Sequence, residues 1–432
     1  MQAGFACAKI NPAPGVRLYG FAGRDLEKPL TGIHDDIFVR ACYLRQGDEQ
    51  ALIMGFDLLF LGRDEVELIR ADLQREFGLA PRQILLNTSH SHVGPRLGTW
   101  AWGGHTPPET EYVQTLRQAI ITATRDAQEQ ARPVRVMAGA TRSQVPLSRR
   151  NIHEDGRAYF EPAPAGVVCD HLPVCLLQDA AGEPVCLLFS VSCHPSMISG
   201  FEVSAEYPGA ACRALDAHLG APKSLFLQGA GGDAKPALSG TAGKWRSCTW
   251  EEVEQTGRQV AAEVIPALDH LQPVTPDLHC AQAVLLWPLL PAATPDEFAA
   301  LAAEANAPEY KRLWAQRNLE TLQRGEKLPT TWPITLSAIQ LGAGLRLVGL
   351  EGEAVARWGL FLLRHYPAGL TFPLGYTNGQ GAYLPTSDIL HEGGYEVDSY
   401  HEYWLPAQLG PGFEAIVAQA LRDFEPQGIA GR

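Results

Sequence analysis

The segment from Gln50 to His92 reads "QALIMGFDLLFL", then "RDEVELIRADLQREFG", then "RQILLNTSHSH". The outer pieces are apolar, strand-like runs. The middle piece has apolar residues at helical spacing and a closing Gly78. Strand, helix, strand in this order is a βαβ unit, which commits the chain to an α/β fold.

The alternation continues along the chain. A helix is expected at about 109–131, then the strand "VRVMAGATR" and the hairpin "PVCLLQDAAGEPVCLLFSVSCHP", turning at Asp179 to Gly182. Further helices are expected near 207–219 and 250–268, with the strand "KSLFLQG" between them, and a long polar helix near 296–325. A second hairpin turns at Gly342 to Gly344, and helices near 353–365 and 412–424 follow. We find no internal repeat and no charge block. Pro, Ala and Glu increase over 270–330, which reads as an insertion, helical or lid-like at about 290–330, in one α/β domain spanning 1–432 with mixed sheets flanked by helices.

A net charge of −13 with no Lys or Arg block excludes nucleic acid as the main partner and points to a small-molecule substrate. The 9 cysteines are scattered through apolar segments without a CxxC pair, as buried free thiols in a reducing compartment would be. The N-terminal "MQAGFACAKINPAPG" lacks the basic and apolar regions of a secretion signal, and no span reaches transmembrane length. The expectation is a cytoplasmic protein without stable membrane association, with an oligomer left open.

The chemistry gathers at strand ends, where rigid strands place loop residues around one crevice. In "NTSHSH", strand alternation turns His90 and His92 to the same face. His194 follows the strand in "LLFSVSCHPSM", and Glu351 and Glu353 follow the one in "LRLVGLEGEAV". Gln228 and Asp233 end "SLFLQGAGGDAKP", while Tyr376, Asn378 and Tyr383 lie in "LTFPLGYTNGQGAYLPT". Two imidazoles and a carboxylate around a position open to water are the donor set of a hydrolytic zinc centre, where the metal lowers the water pKa to roughly 7. A metal-free α/β enzyme and a non-catalytic binding protein remain open on the residues alone.

The blocks resemble those of the neutral, non-lysosomal ceramidase family, in the same order. "LLNTSHSHVGP" is similar to THTHSGP, "GIHDDIFVRACYL" to GIH…RA, "SCHPSM" to HGTSM, and "FLQGAGGDAKP" to QSNxGDVSPN. "LEGEAVARWG" is similar to PGEFTTMAGRR, and "TNGQGAYLPT…GGYE" to NxYxxYVTT…QxYE. The resemblance implies zinc ligands at His90, His194, Glu353 and Tyr383, Glu353 being preferred over Glu351 because Gly352 then matches the glycine of PGE. It places His92 beside the zinc-bound water and Arg149, with Arg150 as the neighbouring option, on the substrate carbonyl or a nearby anion. Tyr395 matches a pocket tyrosine, and Asp233 matches the Asp of GDVSPN, where a turn or helix cap is the alternative role.

What the resemblance implies is a zinc-dependent hydrolase of an N-acyl amide, with a zinc esterase or lactonase and a catalytically silent binding relative as alternatives. The chain departs from the family in placing Lys235 where GDVSPN has serine, and in ending soon after the tyrosine block, where the family continues into an immunoglobulin-like domain. An acidic chain without an amphipathic anchor is poorly suited to anionic membranes, so the expected substrate is small or amphiphilic rather than a bilayer lipid. Trp100, Trp102, Trp245 and Trp250 are candidates for the pocket wall.

Overall fold

The computed structural model describes all residues except 22, 26, 96, 98–105, 431 and 432, so Trp100 and Trp102 lie outside the described residues. Its architecture is a threefold recurrence. In the first unit the strands Gln2–Lys9, Phe38–Gln46 and Glu49–Phe56 are successively antiparallel, and the helix Arg63–Phe77 then crosses over to Ile84–Thr88, parallel to the third strand. The same path recurs in Arg135–Arg142, His171–Gln178, Pro184–Val191, helix Glu206–Leu219 and Ser224–Gln228. It recurs again in Pro276–Pro288, Thr331–Gly342, Leu345–Leu350, helix Ala356–His365 and Leu370–Leu374. Each unit is followed by a second helix: Pro107–Glu129, Trp250–Leu268 or Phe413–Phe424. The expected βαβ unit and both hairpins are therefore present, but the expectation of no repeat is corrected. The equivalent strands share only an apolar pattern, and that escapes a search for sequence identity.

Strand alternation explains how the units assemble. In the third strand of each unit one set of side chains, Ala51 and Ile53, Cys186 and Leu188, or Leu345 and Leu347, faces a core shared by all three sheets. The other set, Leu52, Met54 and Phe56 in the first unit, packs under that unit's own helices with Val66, Ile69, Leu116 and Ile120. The corresponding outer layers hold Phe189, Tyr207 and Val260 in the second unit and Val348, Trp358 and Phe413 in the third. All nine cysteines are free, and all except Cys7 are buried.

This topology sets where function can sit. First, third and fourth strands of a unit run in one direction, so their C-terminal ends meet at one end of the molecule, and the long connections 10–37, 143–170 and 289–330 leave from that same end. The expected insertion near 290–330 is thus the third of three equivalent excursions. Its single long helix is corrected to two, Pro295–Ala303 and Glu309–Gln323, because Pro308 lacks an amide donor and disfavours a helical Ala307. No described helix is long and apolar enough to cross a membrane.

Asn87 ties the units together where their fourth strands converge. Its fully buried amide donates to Gly375 O at 2.8 Å and Gln228 O at 3.3 Å and accepts from Gln228 N at 2.7 Å. Asn87→Ala strands these backbone groups, and the expected loss is about 2–4 kcal/mol of unfolding free energy, read as a lower urea midpoint with an unchanged slope.

Candidate metal centre and active site

Glu353 and Tyr383 meet through a two-residue parallel pairing, Glu353–Ala354 against Tyr383–Leu384, in which the two residues are direct partners and face the same side. His194 leaves the end of Pro184–Val191 and enters the same space. The loop "GAGGD" wedges between these two segments: a Cβ on Gly231 would stand 2.3 Å from the Ser192 carbonyl carbon, and one on Gly232 would stand 2.6 Å from Glu353 O. Only glycine allows that approach.

His90 and His92 arrive differently from the strand alternation expected of them. The strand stops at Thr88, His90 adopts a left-handed φ of 68°, and a tight turn follows in which Gly94 N donates to Ser91 O at 3.2 Å. The rings still meet, with centroids 4.9 Å apart. A turn achieves what two alternating strand positions would have done.

Four donors converge. His90 Nε2 and His194 Nε2 lie 3.1 and 3.0 Å from Glu353 Oε2, and Tyr383 OH lies 3.3 Å from His194 Nε2. Tetrahedral zinc with bonds of roughly 2.0–2.1 Å separates neighbouring donors by about 3.3–3.4 Å, close to this spacing. The ring orientation points the same way. His90 Nδ1 and His194 Nδ1 each sit 2.8 Å from a backbone carbonyl, Leu59 O and Gly231 O, so a neutral ring donates there and leaves Nε2 unprotonated. Burial, with Arg149 nearby, pushes His194 down to about 3. Two lone pairs and a carboxylate oxygen therefore face one another, and a cation at their centre removes the repulsion. These residues fit a divalent metal.

Other side chains complete the site. His92 is buried with neither ring nitrogen hydrogen-bonded among the described residues, and burial and the adjoining histidines push it well below its usual value. Its ligand atom also falls within 4.8 Å of those of His90 and His194, so the three imidazoles form a group able to hold a metal. Arg149 and Arg150 share the Glu396 carboxylate at 2.7 Å each, but it is Arg149 that lines the cavity, with Nη2 unpartnered. Burial lowers the Arg149 pKa, yet Tyr383 and Glu396 outweigh it and keep the guanidinium charged. Tyr395 also lines the cavity, its hydroxyl donating to Glu402 at 3.0 Å.

The structure does not bring Asp233 to the cavity. Its Oδ1 accepts from Ala356 N at 2.6 Å at the start of the helix Ala356–His365, and burial, with Glu396 close by, pushes its carboxyl up to about 6. That is a cap. Glu351 is likewise engaged elsewhere, with Arg63 and Thr335 N, while Trp250 stacks on His34 at 3.8 Å and Trp245 lines the cavity. The cavity itself holds about 600 Å³, walled by Phe21, Phe160, Tyr310 and Tyr395 among others. Sequence reading missed Tyr403 and Gln380, which donate to Glu353 Oε1 at 2.5 and 2.8 Å and so aim its other oxygen at the histidines. Nothing local marks Tyr403, whose relation to Glu353 is tertiary.

Among solved structures, neutral ceramidase from Pseudomonas aeruginosa superimposes with a TM-score of 0.70 at 17% identity, covering 99% of this chain and 74% of that one. The chain has the ceramidase fold. A ceramidase complexed with C2 matches with a TM-score of 0.71 at 15% identity, over 99% of this chain and 76% of that one. No family model matches the chain, and no curated protein matches it. The ceramidase-like fold agrees with the resemblance read from the motif blocks.

Elemental analysis of purified protein is expected to find about one divalent metal per chain, lost in His194→Ala and Glu353→Ala. Asp233→Ala is expected to keep the metal and to lower unfolding free energy by about 1–2 kcal/mol, as loss of a helix cap does; metal loss in Asp233→Ala would instead place it in the centre.

Proposed function

We propose that this chain is a zinc-dependent hydrolase that cleaves a linear amide, an N-acyl bond, in a small or amphiphilic substrate. His90, His194, Glu353 and Tyr383 would hold the metal. The observation that carries the reading is the convergence of their donor atoms at the cavity wall, next to the unpartnered atoms of His92 and Arg149. Zinc in such a donor set supplies Lewis acidity and a water acidified to a pKa of about 7.

The protein's own groups account for the rest. Arg149 Nη2 is a buried donor without a protein partner, placed to receive the oxygen that gains charge as the amide carbonyl is attacked. Neutral His92 accepts or donates a proton at a free ring nitrogen, the transfer that the leaving amine requires as the C–N bond breaks. The net reaction adds OH to the acyl carbon and H to the nitrogen. Tyr403 and Gln380 fix the Glu353 carboxylate, and the rings of Phe160, Tyr395 and Tyr310 offer an apolar surface for the acyl group.

The test is release of free amine from a series of N-acyl compounds by metal-loaded protein. His92→Ala is expected to lower kcat by about 10²–10³ with a much smaller change in KM, since its contribution lies in the transition state. Protein holding stoichiometric metal that releases no amine from any member of the series would overturn the amidase assignment.

A further inference from the structure

The cavity is richer in positive charge than an acidic chain would lead one to expect. Among the described residues four cations line it, Arg24, Arg149, Lys235 and Arg246, against two carboxylates, Glu353 and Glu402. Glu353 belongs to the metal centre, Arg149 is matched by Glu396 at 2.7 Å, and Arg246 by Glu252 at 2.6 Å. Arg24 and Lys235 are different: among the described residues, every hydrogen bond they make goes to a neutral oxygen. Lys235 Nζ donates to Ser196 O and Ser196 Oγ, both at 3.0 Å, and Arg24 donates to Tyr19 O, His92 O and Gly200 O at 2.7, 2.8 and 3.0 Å.

Lys235 is only 6% exposed, so its charge is costly to hold without compensation. Burial, reinforced by Arg149, pushes it down to about 8, which still leaves it mostly charged at neutral pH. The carboxyl that acts on it, Glu206, is itself fully buried; burial pushes it up to about 8, and it accepts a hydrogen bond from Met197 N at 2.9 Å rather than from Lys235. The ammonium has three donors, two of them used. Among the described residues the third has no hydrogen-bond acceptor, and the Trp245 ring lies 5.5 Å from Nζ.

Position indicates which part of a substrate this charge meets. Lys235 is the direct partner of Leu147 in the pairing of Ala234–Pro236 with Pro146–Ile152. The Phe21 ring lies 5.9 Å from Lys235 Nζ and 4.9 Å from the His92 ring, and Arg24 binds the His92 carbonyl. This cationic end therefore adjoins His92, the group assigned to the leaving amine. Arg149, two residues along the same pairing from Leu147, holds its guanidinium among the rings of Phe160, Tyr383 and Tyr395 at 4.8, 5.3 and 5.6 Å, where an apolar acyl chain fits.

We propose, building on the amidase reading above, that the substrate carries a carboxylate on its amine side, as an N-acyl amino acid does, and that Lys235 with Arg24 binds that carboxylate. Lys235 is then a specificity residue. A charge-assisted hydrogen bond to a desolvated carboxylate discriminates against an uncharged analogue, whose binding would leave the buried cation unmatched.

The experiment compares N-octanoylglycine with N-methyloctanamide, which has the same acyl chain and amide but no carboxylate, on metal-loaded protein. The expected preference for the glycine conjugate is about 10- to 100-fold in kcat/KM. Lys235→Met is expected to reduce that ratio about tenfold or more, chiefly through KM, and Lys235→Arg to retain most of it. A ratio near one in the wild type, or one unchanged by Lys235→Met, overturns the proposal. If neither compound is hydrolysed, the amidase reading fails on its own, and calorimetric binding of the same pair decides the carboxylate site: tighter binding of N-octanoylglycine that Lys235→Met abolishes supports it, and equal affinities overturn it.

Discussion

Three sheets bury their inner faces against one another, and the position of every group at the site depends on that shared core. Each sheet has its own helices on the outside, so none is free to shift without opening apolar surface on both sides. With the fourth strands pinned together by the Asn87 amide, the C-terminal strand ends of three units are held at one place. The four residues whose donor atoms converge follow these ends: His90 from the first unit, His194 from the second, and Glu353 and Tyr383 from the third. Three copies of one supersecondary path bring these side chains together at one place.

The electrostatics follow from the same burial. Inside this dry core burial keeps the His194 imidazole neutral, its Nδ1 donating to a carbonyl and its Nε2 facing the Glu353 carboxylate. That combination is hostile to itself without a cation and well suited to one. Around it the protein places groups with unused hydrogen-bonding capacity, His92 and Arg149, in a cavity walled by aromatic rings. A fully satisfied core would have none. Their unused capacity borders the cavity, where a ligand would meet it.

Much of this was legible in the chain. The periodicity of "RDEVELIRADLQREFG" between two apolar runs specified the βαβ unit, and the two hairpin turns were visible at Asp179 to Gly182 and Gly342 to Gly344. Polar residues directly after apolar strands drew attention to His90, His194, Glu353 and Tyr383. Less local features were not legible. The recurrence of three units was hidden because its members share hydrophobic pattern and order of elements rather than residues. The helix over 296–325 was drawn too long because helical spacing resumes after Pro308, and Asp233 was read toward the site because a carboxylate after a strand looks the same whether it faces a ligand or a helix end.

The sequence by itself determined the α/β class, the strand ends as the place for chemistry, and the residue types available there, because these depend on periodicity and on chemical identity along a few adjacent positions. Only the tertiary structure decided which of them meet. It turned His90 through a left-handed residue toward Glu353, gave Glu353 its orienting partner Tyr403, set Asp233 on a helix end, and left Lys235 charged beside neutral oxygens. Those outcomes are distances between residues remote in the chain. They are set by how three sheets pack on one core, which no local pattern encodes.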